Sequence, residues 1–284
     1  MLGFCALAPV ADALAKLLGL RMGLGQLIAT RFAFQAVLLV PLALAIGAEL
    51  RLKPRVLRLT ALRTALHIAG VAGFFQALRF LPLADAVAIA FVMPFVMLLL
   101  GRYVLGEAVG PRRMAACVVG FAGTLMVIQP SLVTVGAAAL LPLAVAVIFA
   151  LFMLVTRQIA RDADPVALQA VSGVMATVAL APVMALGAAF GWPELGITAL
   201  GRGDWGLLVL MGVVGTSVHL LMTWSLRFAP ASTVAPMQYI EIPFATLIGF
   251  VVFGVLPNGL AAVGIVVTVA AGLYVIHRER RAAR

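Results

Sequence analysis

From residue 2 to residue 276 the chain is a succession of long apolar runs, separated by short links that carry charge, Gly or Pro. Runs bounded in this way fall at 2–18, 27–48, 62–80, 83–103, 112–129, 135–157, 165–190, 206–228, 232–256 and 258–276. An α-helix rises 1.5 Å per residue, so about 20 apolar residues cross a hydrocarbon core of about 30 Å. Lipid offers no partner to backbone N–H and C=O groups, which leaves helices or a closed barrel as spanning structures. Barrel strands are about 10 residues long and alternate apolar with polar residues; these runs are longer and do not alternate. The pattern therefore predicts an all-α integral membrane protein with ten transmembrane helices. Composition agrees, with 64% hydrophobic and 11% charged residues, against about 45–50% and about 25% in soluble domains. The first run lacks a basic leader and contains Asp12 and Lys16, so it reads as a mature span rather than a signal peptide.

The net charge of +10 does not mark a nucleic-acid binder, because the arginines sit in links between apolar runs. Lipid headgroups are the expected partner. The second link (Arg51, Lys53, Arg55, Arg58, Arg63), the fourth (Arg102, Arg112, Arg113), the sixth (Arg157, Arg161), the eighth (Arg227) and the tail (Arg278, Arg280, Arg281, Arg284) hold 15 of the 20 basic residues. Basic links stay cytoplasmic, so both termini are expected inside, in a bacterial inner membrane, with 191–205 as the main outer loop. Cys5 and Cys117 lie far apart in apolar runs, which gives neither a disulfide framework nor a metal-ligand spacing. No P-loop occurs, and no cofactor is implied.

The chain also repeats itself. Leu78-Arg79-Phe80-Leu81-Pro82 recurs as Leu226-Arg227-Phe228-Ala229-Pro230 at an offset of 148 residues. Val104-Leu105-Gly106 matches Val252-Phe253-Gly254, and Val127-Ile128 matches Val275-Ile276, in the same register. Two halves, 1–129 and 130–284, then hold five spans each. An odd number forces the copies to enter the membrane in opposite directions, giving two inverted five-helix repeats. That architecture places a solute site near the midplane and opens it alternately to each side.

The run Leu78 to Glu107, with Pro94 at its middle and Gly106-Glu107 at its end, resembles the fourth span of the drug/metabolite transporter superfamily in its ten-span EamA family. Residues Ala235 to Gly254 resemble the ninth span, although Glu241-Ile242-Pro243 replaces the usual adjacent Glu-Pro and Val255 stands where a second Gly-Glu belongs. Asp12 and Lys16 in span one, Arg31 opening span two and Tyr239-x-Glu241 in span nine are similar to the subgroup of S-adenosylmethionine uptake and bacterial riboflavin carriers. The resemblance implies a secondary transporter of a small organic metabolite, not an enzyme, and a longer leader than this sequence has. Other members are similar to amino-acid or drug exporters, so direction stays open.

Charges inside a bilayer cost roughly 2.5–3.5 kcal/mol each on insertion scales, so each needs a partner or a water-filled cavity. Glu241 is the deepest, and Gln238, Glu241, Ala245 and Gly249 form one polar and small helix stripe. Glu241 is the first candidate for substrate or proton binding, against a structural hydrogen bond; Tyr239 is a weaker one, against simple packing. Pro236 and Pro243 flank the stripe and free backbone groups. Asp12 and Lys16, four apart, share a face and are expected to pair, which by itself would account for both. Arg31, and Arg79 beside Asp85, are candidate gate residues near the outer surface, with topological anchoring as the alternative. Gln76 lies near Arg79 on the same helix. His219, mid-span, is a candidate proton relay or a helix–helix hydrogen bond. Trp224, Phe74 and Phe91 offer stacking faces to a flat ring, or pack in the core. His67 and His277, near cytoplasmic ends, carry little weight.

Small residues at Ala116, Gly120 and Gly123, and at Ala261, Gly264 and Gly272, allow close helix approach, either within a monomer or in a weak homodimer. Two functions compete with the carrier. A lipid-acting membrane enzyme would want clustered carboxylates or metal ligands, to which only Asp162 and Asp164 come near; a lipid flippase would want polar lateral openings.

Overall fold

The computed structural model describes residues 1–104, 111–229, 234 and 237–282. Of the residues singled out above, Leu105, Gly106, Glu107, Pro230, Ala235, Pro236 and Arg284 lie outside the described residues. So do the side chains of Arg112, Arg113, Cys117, Val275, Ile276, Arg278, Arg280 and Arg281. Among the described residues the fold is all-helical. Helix α1 spans Leu2–Gly19, α2 Leu24–Ala45, α3 Pro54–Leu78, α4 Leu83–Ala90, α5 Met93–Val104 and α6 Pro111–Val135. After a 3₁₀ turn at Gly136–Leu140 follow α7 Leu141–Ile159, α8 Pro165–Ala189 and α9 Arg202–Phe228. A second 3₁₀ turn, Gln238–Ile240, leads into α10 Glu241–Phe253, and α11 is Gly259–Ala282.

Among the described residues, seven helical stretches are long and apolar enough to cross a membrane, and two more, Gln238–Phe253 and Gly259–Tyr274, are shorter and apolar. One of the seven, Met114–Ile159, is 46 residues long. Straight, it would measure about 69 Å, more than twice the hydrocarbon thickness. Gly136, at φ +67°, supplies the left-handed conformation that a side chain resists, and divides the stretch into α6 and α7. Pro130 lies inside α6 without ending it, so this helix runs past the expected end at 129.

Proline sets two further breaks. Pro94 has no N–H for Ala90, and the helix turns at Phe91–Val92 between α4 and α5. Pro243 likewise has no N–H to offer Tyr239 O, and a 3₁₀ turn precedes α10 there. Asp164 caps α8 by accepting from Val166 N at 2.8 Å and Ala167 N at 3.3 Å, with Arg227 3.8 Å from its other oxygen. It is the N-cap of α8.

Helix α2 packs on α8, α3 on α7, α1 on α9 and α10, and α6 on α11. The last contact is the tightest: a Cβ on Gly264 would stand 2.5 Å from Gly123 O. Gly120 receives the Phe95 ring, Gly272 the Tyr239 ring, and Ala261 is fully buried. The small residues considered for a homodimer are thus consumed within the chain. Val37, Val133, Val178, Val251 and Val266 point outward, the apolar exterior that lipid-facing helices require.

Candidate functional site

The two proline-associated breaks meet at one cavity. Phe91 and Met93 border it at the α4–α5 turn, Gln238 and Glu241 at the start of α10. Helices α1, α2, α3, α7 and α9 complete the wall of a cavity of about 110 Å³. Most of the wall is apolar, with Phe74, Phe75, Phe91 and Phe149 as flat faces and Met153, Met211 and Met222 as adaptable ones. Five polar residues interrupt it: Asp12, Arg31, His219, Gln238 and Glu241.

Glu241 is not mid-helix, as its depth in the run suggested, but the first residue of α10, directly after the 3₁₀ turn. Ala245 and Gly249 are buried on the same face, as the stripe predicted. Asp12 is half-buried because its exposed area faces the cavity. Among the described residues neither carboxylate makes a hydrogen bond or an ion pair. Arg31 is 4% exposed; its Nη1 has no partner, and its Cζ stands 5.1 Å from the Phe32 ring. Gly215 of α9 makes room for it, since a Cβ there would approach Arg31 Nε to 3.3 Å. Arg31 therefore belongs to the cavity and not to the outer surface.

His219 shows one edge to the cavity, while its Nε2 lies 3.2 Å from His67 Nε2. His67 is wholly buried in α3 between the rings of Phe32 and Phe152, and is no link residue. One turn earlier Arg63, also 0% exposed, donates from Nε to Thr156 Oγ1 at 2.9 Å, from Nη1 to Ser172 Oγ at 2.9 Å and from Nη2 to Thr223 Oγ1 at 3.4 Å. Its Cζ lies 4.6 Å from the Phe152 ring. Gln169 donates to His219 O at 2.8 Å and to Thr223 Oγ1 at 2.7 Å, and Gln35 donates to Gln169 O at 2.8 Å. This layer of guanidinium, imidazoles, amides and hydroxyls closes the basic end of the cavity. The apolar run that begins at 62 concealed it, because α3 itself begins at Pro54 and carries Arg63 and His67 inward.

The opposite end is closed by exposed charge. Arg79 Nη1 donates to Glu194 Oε2 at 2.7 Å and Oε1 at 2.8 Å, and Leu24 N donates to Glu194 Oε2 at 3.3 Å. The Arg79 guanidinium holds the Glu194 carboxyl below its usual range, an effect that water screens because the acid is largely exposed. Arg21 pairs with Asp204, and Gln26 and Thr198 exchange two hydrogen bonds, at 2.8 and 3.0 Å. The expected partner of Arg79, Asp85, is buried elsewhere and accepts from Ser131 Oγ at 3.4 Å. Glu194 escaped notice because it lies in a short polar turn, 115 residues from Arg79.

The other candidates take structural positions. Lys16 does not pair with Asp12; its Nζ donates to Leu78 O and Leu81 O, closing the end of α3. Tyr239 is 1% exposed and packs between Phe91, Phe95 and Gly272, outside the cavity lining. Gln76 is half-buried beside the cavity helices without lining it, and its Oε1 has no partner. Trp224 is 42% exposed on α9 and does not line the cavity.

Comparison with known proteins agrees with this architecture. The model of the EamA-like transporter family matches residues 2–129 and 136–277. A riboflavin transporter of Rhizobium johnstonii is 30% identical over 225 residues, 78% of this chain and 71% of that protein. An S-adenosylmethionine uptake transporter of Rickettsia bellii is 23% identical over 271 residues, covering 95% and 90%. A solved crystal structure superposes with a TM-score of 0.71 at 21% identity, over 99% of this chain and 97% of that one, and so shares the fold. Two matched segments that together span nearly the whole sequence make this chain a member of the EamA-like transporter family.

Proposed function

We propose that this protein is a secondary carrier of a small organic metabolite, S-adenosylmethionine-like or riboflavin-like, across a bacterial inner membrane by alternating access. The observation that carries the reading is the cavity: charged groups without protein partners, walled by both halves of the chain, between two end layers that tie the halves together. A structural core would satisfy such groups; a carrier leaves them for its solute.

The reading takes α4 with α5, and the Gln238 turn with α10, as single crossings, which makes ten in two repeats, 1–129 and 130–284. Packing supports the symmetry. Exchange of each span for the one five places on turns the α1–α9 contact into α7–α3, the α2–α9 contact into α8–α3, and α6–α11 into itself. The breaks at Pro94 and Pro243 fall at matching places in the two halves, the pattern expected around an alternating-access site. Odd-numbered halves then run in opposite directions, and both termini lie on the arginine-rich, cytoplasmic side. Energy comes from an ion gradient or exchange, and Glu241 is the candidate proton acceptor, with His219 second.

Flux into proteoliposomes of labelled S-adenosylmethionine, riboflavin and amino acids, with and without a pH gradient, tests the reading. Saturable flux of one of them is expected, with loss in Glu241→Gln. Wild-type flux of none would sink the solute class, and undiminished flux in the variant would remove Glu241 from the mechanism. Flux in the outward direction only would favour an exporter of the same family.

A further inference from the structure

A second cavity, of about 210 Å³, lies apart from the central one, at the end of the molecule that carries the Arg79–Glu194 pair. Both halves of the chain wall it. The first half supplies Lys16 of α1, the 80–82 link, and Leu83 and Ala84 at the start of α4; the second supplies Gly249 and Phe253 of α10 and part of the link beyond. Among the described residues Lys16 is the only charged one on this wall. An ammonium has three donors, and Lys16 gives two, to Leu78 O and Leu81 O. Its Nζ also stands 5.7 Å from the centre of the Phe253 ring, but among the described residues it makes no ion pair. The nearest acids in sequence turn elsewhere: Asp12 lines the central cavity, and Asp85 accepts from Ser131 of α6. The start of α4 adds to the same positive field. Its first helical bond is donated by Ala86 N, to Pro82 O at 3.0 Å, so the N–H groups of Leu83 and Ala84 have no partner within the helix.

The surroundings of this charge are those of a lipid. Lys16 stands in the last turn of α1, near the level of headgroups rather than the hydrocarbon centre. An apolar groove runs along the outside of α10 and α11, lined by Leu247, Phe250, Val266 and Leu273, all exposed. Only the 255–257 link parts groove from cavity: Val255 and Pro257 border the cavity, and Leu256 borders the groove. Thr246, the polar residue of the groove, spends its hydroxyl on Ile242 O at 3.0 Å. We propose that the cavity binds one anionic glycerophospholipid, its phosphate at Lys16 and the first N–H groups of α4, and an acyl chain in the α10–α11 groove. A free phosphate meets the charge but has nothing to lay in the groove. A zwitterionic lipid fills the groove but brings a cation of its own towards Lys16. The bound lipid touches both halves of the chain, and the site does not depend on which solute the carrier moves.

Native mass spectrometry of the full chain released from an uncharged detergent tests the site, with phosphatidylglycerol, phosphatidylcholine and inorganic phosphate as probes. Wild type is expected to retain one phosphatidylglycerol at about fivefold lower lipid concentration than phosphatidylcholine, and to keep it in excess phosphate. Lys16→Gln is expected to abolish the preference. Because Lys16 also closes the end of α3, Gly249→Val serves as the second variant. Its Cβ meets Leu83 Cβ at 3.8 Å and Val255 O at 3.9 Å, both ordinary contacts, and its methyl groups fill the cavity while the charge stays. This variant is expected to lose the retained phosphatidylglycerol. The comparison between lipids in wild type stands even where a variant fails to fold. Equal retention of the two lipids by wild type overturns the proposal, as does a preference that survives both variants. Displacement of the lipid by inorganic phosphate overturns it too, and assigns the cavity to a free anion.

Discussion

The two ends of the cavity are closed by opposite kinds of chemistry. At one end Arg79–Glu194 and Arg21–Asp204 are ion pairs in contact with water. At the other a fully buried guanidinium is held by three hydroxyls, and no carboxylate lies among its hydrogen-bond partners. Exposed pairs contribute about 0–1 kcal/mol each and weaken with salt. Hydrogen bonds to a buried charge are worth about 1.5–3 kcal/mol each, and orphaning them is unfavourable. The difference teaches that one end is held by contacts worth little free energy, whereas the other is held by a specific network whose parts come from four helices.

Removal of Arg63 is expected to have the largest effect. Arg63→Ala strips the network of its donors, leaves three hydroxyls short of a partner and opens a void, for a loss of roughly 3 kcal/mol of stability. A several-degree fall in the thermal midpoint in detergent is the check. If Arg63→Met proves as stable as wild type while flux is lost, the cation serves movement rather than folding. Next comes His67→Leu, which orphans His219 Nε2 and costs about 1–3 kcal/mol by the same measurement. Glu194→Gln, at the other end, should shift the midpoint by no more than about 1 kcal/mol, and the shift should shrink in high salt. An effect as large as that of Arg63 would erase the contrast between the ends.

The smallest effect is one of pH. Glu194 has a lowered folded-state pKa, so its contribution is fully present above its ordinary value of 4.5 and is lost as pH falls through the lowered one. Wild type and Glu194→Gln should therefore converge in stability below that range and differ slightly at neutral pH. Convergence on raising the pH instead would mean that the clamp is not this ion pair.

Charges set deep inside apolar runs were legible: Asp12, His219 and Glu241 all reach the cavity, and so does Gln238 on the Glu241 stripe. Charges near the ends of runs were not. Arg63 reads as part of a basic link because hydropathy trims a helix at its first cations, while α3 begins at Pro54 and carries that guanidinium inward. Arg31, already inside the run 27–48, reads as a gate or an anchor near the outer surface by its nearness to the start of that run. Pairing was legible only at short range and then misled. Helical spacing joined Asp12 to Lys16 and chain proximity joined Arg79 to Asp85, whereas backbone carbonyls claim Lys16 and a distant turn claims Arg79. Trp224 and Tyr239 were read by residue type alone, which is silent about which face of a helix looks inward.

Among the described residues, none of α6, α8 or α11 borders the cavity. Where Gly123 and Gly264 meet, main chain touches main chain, and any side chain there would prise α6 and α11 apart. Such a seam is intolerant of any added side chain. Change to the inner faces of α1–α5, α7, α9 and α10, which line the cavity, therefore leaves the seam and its two glycines untouched.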